Sequence, residues 1–149
     1  MGGSALVLVI FLVVGYAYQA RTTAADFERL PAPGQRVDVG GHSLHIFCQG
    51  EGSLTVIVDA GNGDFSLGWR LVQSQVAQRT RICTYDRAGY GWSDPGPSPR
   101  TARQIATELH ALLLNAGIEG PYLLVGHSLG GYNVRMYAAI PVLVSPSHI

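Results

Sequence analysis

The five residues Gly126-His127-Ser128-Leu129-Gly130 lie where a short apolar run, residues 122–125, passes directly into a helical pattern over residues 130–139. A serine on such a turn must adopt a strained backbone conformation, which lifts its hydroxyl clear of the sheet. Glycines two residues before and after the serine prevent collisions between the strand and the helix. The pattern therefore predicts a nucleophilic Ser128 with Gly126 and Gly130 as elbow glycines. A glycine-rich turn with a chance serine is the alternative.

The order of strand and helix patterns predicts the fold class. Residues 36–39 and 44–48 are rich in β-forming residues and flank Gly40-Gly41, which predicts an antiparallel hairpin. Downstream, short apolar runs typical of buried strands alternate with amphipathic helical patterns. The predicted strands cover residues 55–58, 80–85 and 122–125, and the predicted helices cover residues 69–78, 101–116 and 130–139. This alternation predicts an α/β fold with a mostly parallel sheet behind an opening hairpin.

A second glycine-rich segment, Asp59-Ala60-Gly61-Asn62-Gly63, follows the strand predicted at residues 55–58. Loops at the carboxyl ends of parallel strands face the crevice in which such sheets bind ligands. The helix after the elbow also directs its first N–H groups at the space beside Ser128. We predict that the N–H groups of Asn62 and Leu129 form an oxyanion hole. An ordinary glycine turn is the alternative interpretation of the first segment.

A third run, Asp86-Arg-Ala-Gly-Tyr-Gly-Trp-Ser93, follows the next predicted strand. Together the three motifs resemble the α/β-hydrolase superfamily of the serine-nucleophile type, in the order of its first five or six strands and over about residues 36–140. The resemblance implies an α/β-hydrolase fold, a nucleophile at Ser128, oxyanion donors at Asn62 and Leu129, and hydrolysis of an ester, thioester or amide acyl bond. Members with an elbow aspartate, such as haloalkane dehalogenases and many epoxide hydrolases, are disfavoured because serine stands here.

The third run has two expected roles. Tyr90 and Trp92 are expected to wall the substrate pocket. Asp86 and Arg87 are expected to tie down their loop by local hydrogen bonds rather than to act in catalysis. The substrate implied by the resemblance is a small or lipid-like acyl ester.

The catalytic acid and histidine of this superfamily follow the serine, after later strands. Only 21 residues follow Ser128, and the apolar run at residues 142–144 is compatible with one more strand. Ser145 stands where related chains commonly have an aspartate, and His148 is the histidine nearest to the C-terminus. The remaining histidines, His42, His45, His110 and His127, are expected to be structural or exposed. We therefore expect a C-terminally shortened copy. Either it is an inactive fragment or pseudoenzyme that serves at most as a binding module, or His148 or another chain supplies the missing groups.

The N-terminal residues 1–20 carry no charged side chain, and residues 5–14 are an unbroken apolar run. A helix over residues 3–20 would measure about 27 Å, just short of the roughly 30 Å of a bilayer core. We expect a membrane anchor that contacts the bilayer through residues 4–20. A secretory signal peptide is the first alternative, because Gly15-Tyr16-Ala17 resembles a cleavage site, and a buried first helix is the second. Residues 21–35 are expected to be a linker, and residues 36–149 a partial hydrolase domain.

Composition excludes other classes of partner. Charged residues are 13% of the chain, against about 25% in typical domains, and ten basic residues balance ten acidic ones. Nothing builds the basic stripe that nucleic acid requires. The spacing of His, Cys, Asp and Glu predicts no metal site, and the lack of a phosphate-binding glycine loop predicts no cofactor.

Two further expectations concern the sheet. Cys48 and Cys83 fall on strands that are neighbours in the resembled family, and two buried thiols are expected rather than a disulfide. The strand at residues 122–125 would leave an exposed sheet edge, which predicts possible self-association.

Overall fold

The computed structural model describes residues 2–29 and 31–140, with side chains of the first helix described for residues 5–23. The chain divides into two compact units, Met1–Pro33 and Gly34–Ile149. The strand predicted at residues 142–144, together with Ser145 and His148, lies outside the described residues.

The first unit is built on one helix, α1 (Gly2–Arg29). Its segment Ala5–Thr23 is long and apolar enough to cross a membrane, a property that anchors and signal sequences share. The helix continues past residue 20, so residues 21–29 are helical rather than part of the expected linker. No proline precedes Pro31, and the polar residues before it are compatible with a helix.

The second unit contains a five-stranded sheet in the order β1-β2-β4-β3-β5. The strands are β1 (Gln35–Asp38), β2 (Ser43–Gln49), β3 (Thr55–Asp59), β4 (Arg81–Tyr85) and β5 (Tyr122–Gly126). β2 pairs antiparallel with both β1 and β4, while β3 pairs parallel with β4 and β5. The predicted α/β class with an opening hairpin is therefore confirmed. Gly40 and Gly41 make the hairpin turn with φ of 103° and 94°, values that favour glycine.

Helices cover both faces of the sheet. They are α2 (Arg70–Val76), which a 3₁₀ turn at Ser66–Trp69 precedes, α3 (Ala102–Asn115) and α4 (Leu129–Ala139). α3 and α4 pack with Leu44, Ile57 and Tyr85 on one face, whereas Val76 of α2 packs with the β3 and β4 side chains of the other. The alternation of side chains along β3 supplies both cores, because successive residues point to opposite faces.

Cys48 and Cys83 form a disulfide between β2 and β4. The antiparallel register pairs these two residues directly, with their Cα atoms 4.0 Å apart. The expectation of two free thiols is therefore wrong. The strand positions alone predicted neighbouring strands, whereas the disulfide depends on the exact register.

Candidate active site

Ser128 occupies the turn between β5, which ends at Gly126, and α4, which begins at Leu129. Its backbone has φ of 51° and ψ of −115°, and no other non-glycine residue among those described has a positive φ. Such a conformation costs about 1–3 kcal/mol and persists only where the surroundings impose it. The predicted strained elbow is therefore present at Ser128.

The elbow glycines are required by space. A Cβ atom on Gly126 would lie 2.5 Å from the carbonyl oxygen of Gly130, so a side chain there would push the helix off the strand. A Cβ atom on Gly130 would collide with the carbonyl oxygen of Asp59 and lie 2.7 Å from that of Ala60. The second glycine therefore lets α4 approach the end of β3, which brings the elbow against the neighbouring loop.

The loop after β3 lies directly beside the elbow. A Cβ atom on Gly61 would lie 2.9 Å from Nδ1 of His127 and 3.7 Å from Cβ of Ser128. Asn62 follows at once in the chain. The N–H groups of Asn62 and Leu129 take part in no hydrogen bond within the described part of the chain. Two unused backbone donors thus stand near the serine, as the oxyanion prediction requires.

The buried Arg87 holds the loop after β3 by hydrogen bonds. Its Nη1 donates to the Asp59 carboxylate and to the carbonyl oxygen of Ala60, both at 2.5 Å, and its Nη2 donates to that of Gly61 at 2.6 Å. The Tyr85 hydroxyl donates to the second Asp59 oxygen at 2.7 Å. Burial, reinforced by the Asp59 charge, raises the pKa of Tyr85 well above 10.0, which keeps this donor protonated.

The buried Asp86 organises the other side of the same loop. It accepts hydrogen bonds from the N–H groups of Ser66 at 2.7 Å and Trp92 at 3.0 Å, and His45 Nδ1 lies 3.0 Å away. Burial alone would raise the pKa of Asp86, but these donors outweigh it and hold the pKa below 3.8. The bond from the Trp92 N–H to Asp86 is local, as expected, whereas Arg87 binds the loop after β3 rather than its own loop.

A cavity of about 190 Å³ adjoins the two unused N–H groups. Its lining consists of Asn62, Arg87, Ala88, Tyr90, Arg100, Ile105 and Leu129. Tyr90 is part of this lining, and its hydroxyl donates to Oδ1 of Asn62 at 3.0 Å, while its role as a wall of the substrate pocket stays a prediction.

Trp92 does not line this cavity. Asp86 holds its N–H, and the indole packs instead against the rings of His45 and Phe65, with centroids 5.0 and 5.9 Å away. Ser128 itself opens onto a groove of about 240 Å³ that Tyr132 and Arg135 also line.

No histidine among the described residues forms a hydrogen bond with Ser128. His42 lies 3.4 Å from the Glu108 carboxylate, and His45 lies against Asp86, so both serve structure. Within residues 2–29 and 31–140, no group of three or more His, Cys, Asp or Glu side chains is arranged to hold a metal ion. The described residues therefore bring together Ser128 and the N–H groups of Asn62 and Leu129, and no described histidine stands beside them as a hydrogen-bond partner of Ser128.

Residues 54–149, more than half of the chain, match the family described as alpha/beta hydrolase fold. The uncharacterized protein YqjL of Bacillus subtilis is 37% identical over 65% of this chain and 38% of its own length. The uncharacterized vacuolar membrane protein YNL115C of Saccharomyces cerevisiae is 45% identical over 40% of this chain and 9% of its own.

Solved structures agree with this match. A thermophilic esterase from Thermogutta terrifontis, with malate bound, has a TM-score of 0.65 and 26% identity, over 72% of this chain and 41% of its own. The α/β-hydrolase fold expected from the three motifs is confirmed. The chain spans well under two thirds of the length of each of these three proteins.

Proposed function

Because this chain belongs to the α/β-hydrolase family, we propose that it supplies the nucleophile and the oxyanion hole of a serine-dependent acyl hydrolase. The observation that carries the proposal is the positive φ of Ser128 beside two N–H groups that have no partner among the described residues. A strained serine at a helix N-terminus, next to convergent backbone donors, is the arrangement that acyl transfer requires.

In the proposed reaction, Oγ of Ser128 attacks the carbonyl carbon of an ester, and its proton passes to a base. The carbonyl oxygen becomes an anion that accepts hydrogen bonds from the N–H groups of Asn62 and Leu129. The tetrahedral intermediate then collapses, the alcohol leaves with a proton, and water hydrolyses the acyl-serine to free acid and serine. The base and its orienting acid are contributed by groups outside the described residues.

The proposed substrate is a small or lipid-like acyl ester. The cavity of about 190 Å³ is small, and Ala88, Ile105 and Leu129 give it an apolar portion. The apolar segment Ala5–Thr23 would anchor the chain in a membrane and place the site near lipid-soluble esters. Cleavage of the same segment as a signal peptide would instead release a secreted protein. The vacuolar membrane relative favours the anchor.

A second candidate function follows from the residues that the structure describes, which place no histidine in hydrogen-bond contact with Ser128. Since no described histidine reaches Ser128, the chain by itself would act as a catalytically silent module that binds an acyl group or a partner. A second copy of the chain is the proposed partner, because β5 pairs only with β3 among the described strands and exposes half of Leu123. Such an open strand edge favours association with another chain.

Labelling of the full-length chain in detergent micelles with a fluorophosphonate probe tests the proposal. We expect covalent labelling that Ser128→Ala abolishes. Ser74→Ala, which removes a hydroxyl bonded only to its own helix at Leu71, serves as the matched control and should label as the wild type does. A folded wild-type chain that stays unlabelled would reject the hydrolase proposal for this polypeptide and favour the silent module.

A further inference from the structure

The peptide bond between Gly61 and Asn62 joins the Gly61 carbonyl, which accepts a hydrogen bond from Arg87, to the Asn62 N–H, which is a proposed oxyanion donor. It is trans, so the carbonyl of Gly61 and the N–H of Asn62 lie in one plane and point in opposite directions. Any group that holds the Gly61 oxygen therefore also decides where the Asn62 N–H points.

The guanidinium of Arg87 makes the shorter of two hydrogen bonds to the Gly61 oxygen, with its Nη2 2.6 Å away, and the N–H of Asp64 donates to the same oxygen at 3.3 Å. We propose that Arg87 is a positioning residue for oxyanion stabilisation, because it holds this peptide with the Asn62 N–H directed to the elbow. The inference rests on the proposed acyl-transfer function and deepens it. Arg87 acts through the backbone, since three of its five N–H donors are directed to the Asp59 carboxylate and the carbonyl oxygens of Ala60 and Gly61.

The peptide needs such a restraint because Gly61 has no side chain to limit its rotation. A Cβ atom at this position would lie 2.9 Å from the His127 ring, so the close approach to the elbow excludes any larger residue. If Arg87 released the carbonyl, only the longer bond from the Asp64 N–H would hold it, and the peptide could rotate and present the Gly61 oxygen to the elbow. An oxygen there would repel the oxyanion instead of stabilising it.

Arg87 is itself held in place on two sides. Asp59 is fully buried, and the Tyr85 hydroxyl occupies its second oxygen, so the carboxylate fixes the guanidinium. The Tyr90 ring lies over the guanidinium carbon at 4.8 Å, and the Tyr90 hydroxyl binds the Asn62 side chain. The planar fork of arginine donates to the carboxylate and the two carbonyls from two separate nitrogens, whereas the three donors of a lysine ammonium share one nitrogen and cannot reproduce that spacing.

The charge on Arg87 adds to this geometric effect. A hydrogen bond from a charged donor is about twice as strong as one between neutral groups. It withdraws electron density from the Gly61 carbonyl and so makes the Asn62 N–H a better donor, as in other polarised hydrogen-bond chains. Orientation and donor strength therefore both depend on Arg87.

The test replaces Arg87 by lysine in the full-length chain. Arg87→Lys keeps a positive charge beside Asp59 but loses the fork. Removal of one oxyanion donor typically costs about 100-fold to 1000-fold in rate, so a misdirected donor should slow fluorophosphonate labelling by about tenfold or more. Arg36→Lys is the matched control, since Arg36 also pairs with an aspartate, Asp94, away from the site. It should label at the wild-type rate.

A nuclear magnetic resonance measurement separates this inference from the proposed function. In the ¹⁵N-labelled chain, the chemical shift of the Asn62 backbone amide should change more in Arg87→Lys than in Arg36→Lys. This readout needs no reactive serine. Two results would overturn the role of Arg87. One is a backbone amide resonance of Asn62 that does not shift in Arg87→Lys. The other applies if the wild type labels, and is a labelling rate of Arg87→Lys that is less than threefold below the wild-type rate. A shifted amide in a chain that never labels would support the positioning and reject only the hydrolase.

Tyr90→Phe provides a second variant in case Arg87→Lys does not fold. It keeps the ring over the guanidinium and removes only the hydroxyl that binds Asn62. We expect a smaller loss of labelling than in Arg87→Lys, together with a shift of the same Asn62 amide. Thermal unfolding of each variant identifies the ones that fold. If the backbone amide resonance of Asn62 stays at its wild-type position in Tyr90→Phe, the Tyr90 hydroxyl does not restrain Asn62.

Discussion

β3 and β5 carry similar apolar runs, yet the sheet buries them to very different extents. All five residues of β3 are buried, whereas three residues of β5 are half-buried and two are exposed. β3 pairs with a strand on each side, and β5 pairs with β3 alone among the described strands. The difference shows that burial depends on a strand's place in the sheet, which its composition does not reveal.

The same two strands also support the site unequally. β3 ends at Asp59, whose carboxylate and carbonyl are bound by Arg87, Tyr85 and the N–H of His127. β5 ends at the elbow, which is restrained on the β3 side and open toward the groove lined by Tyr132 and Arg135. The β3 side of the elbow is thus held by several hydrogen bonds, while its other side is open to the groove.

The largest expected effect separates the two strands directly. Ile57→Ala in β3 removes a fully buried side chain and should lower the free energy of unfolding by about 2–5 kcal/mol. Leu123 in β5 is 50% exposed, so Leu123→Ala should lower the free energy of unfolding by much less than Ile57→Ala does. Denaturant unfolding of both variants measures the difference. Equal losses would mean that another chain covers β5 in solution.

A smaller effect is expected where β3 meets the elbow. Gly130→Ala should lower the free energy of unfolding by about 1–3 kcal/mol, because its new methyl group collides with the end of β3. Gly131→Ala is the matched control, since its methyl group would meet nothing nearer than the Gly126 oxygen at 3.7 Å. Replacing a helical glycine there should stabilise the chain by up to about 1 kcal/mol. The midpoint temperature of unfolding should therefore fall in Gly130→Ala and rise in Gly131→Ala. A change in the same direction for both variants would refute the steric explanation of Gly130.

The smallest expected effect is a pH dependence at the loop after β4. The folded-state pKa of Asp86 lies below 3.8, so its contribution to stability is complete above that value and is lost as the pH falls through the folded pKa. Asp86→Asn should flatten the acid side of the stability curve, and Glu51→Gln, at an exposed position, should leave it unchanged. Denaturant midpoints between pH 6 and pH 2.5 measure both curves; an unaltered acid slope in Asp86→Asn would exclude Asp86 as its source.

Departures from the sequence predictions have specific physical causes. The helix predicted over residues 69–78 is the shorter α2 (Arg70–Val76), and Trp69 instead ends a 3₁₀ turn that begins at Ser66, whose N–H donates to Asp86. Trp92 leaves the cavity because the same carboxylate holds its backbone. The first contact joins segments 20 residues apart, and the second joins residues six positions apart in the loop after β4.

The sequence by itself determined the elements and the elbow. An apolar run, a glycine, a serine and a glycine followed by a helix stand within about twenty consecutive residues, so local sterics decide their conformation. The alternation of strands and helices likewise determined the α/β class.

Only the tertiary structure decided what supports the site. Arg87 and Asp59 are 28 residues apart, and they meet because β3 and β4 pair in parallel and end at the same edge. The disulfide between Cys48 and Cys83 depends in the same way on the register of β2 against β4. Register is a property of paired strands, so it does not exist before the strands pair. The hydrogen bonds between the three loops form only after the sheet has aligned the ends of the strands that precede them.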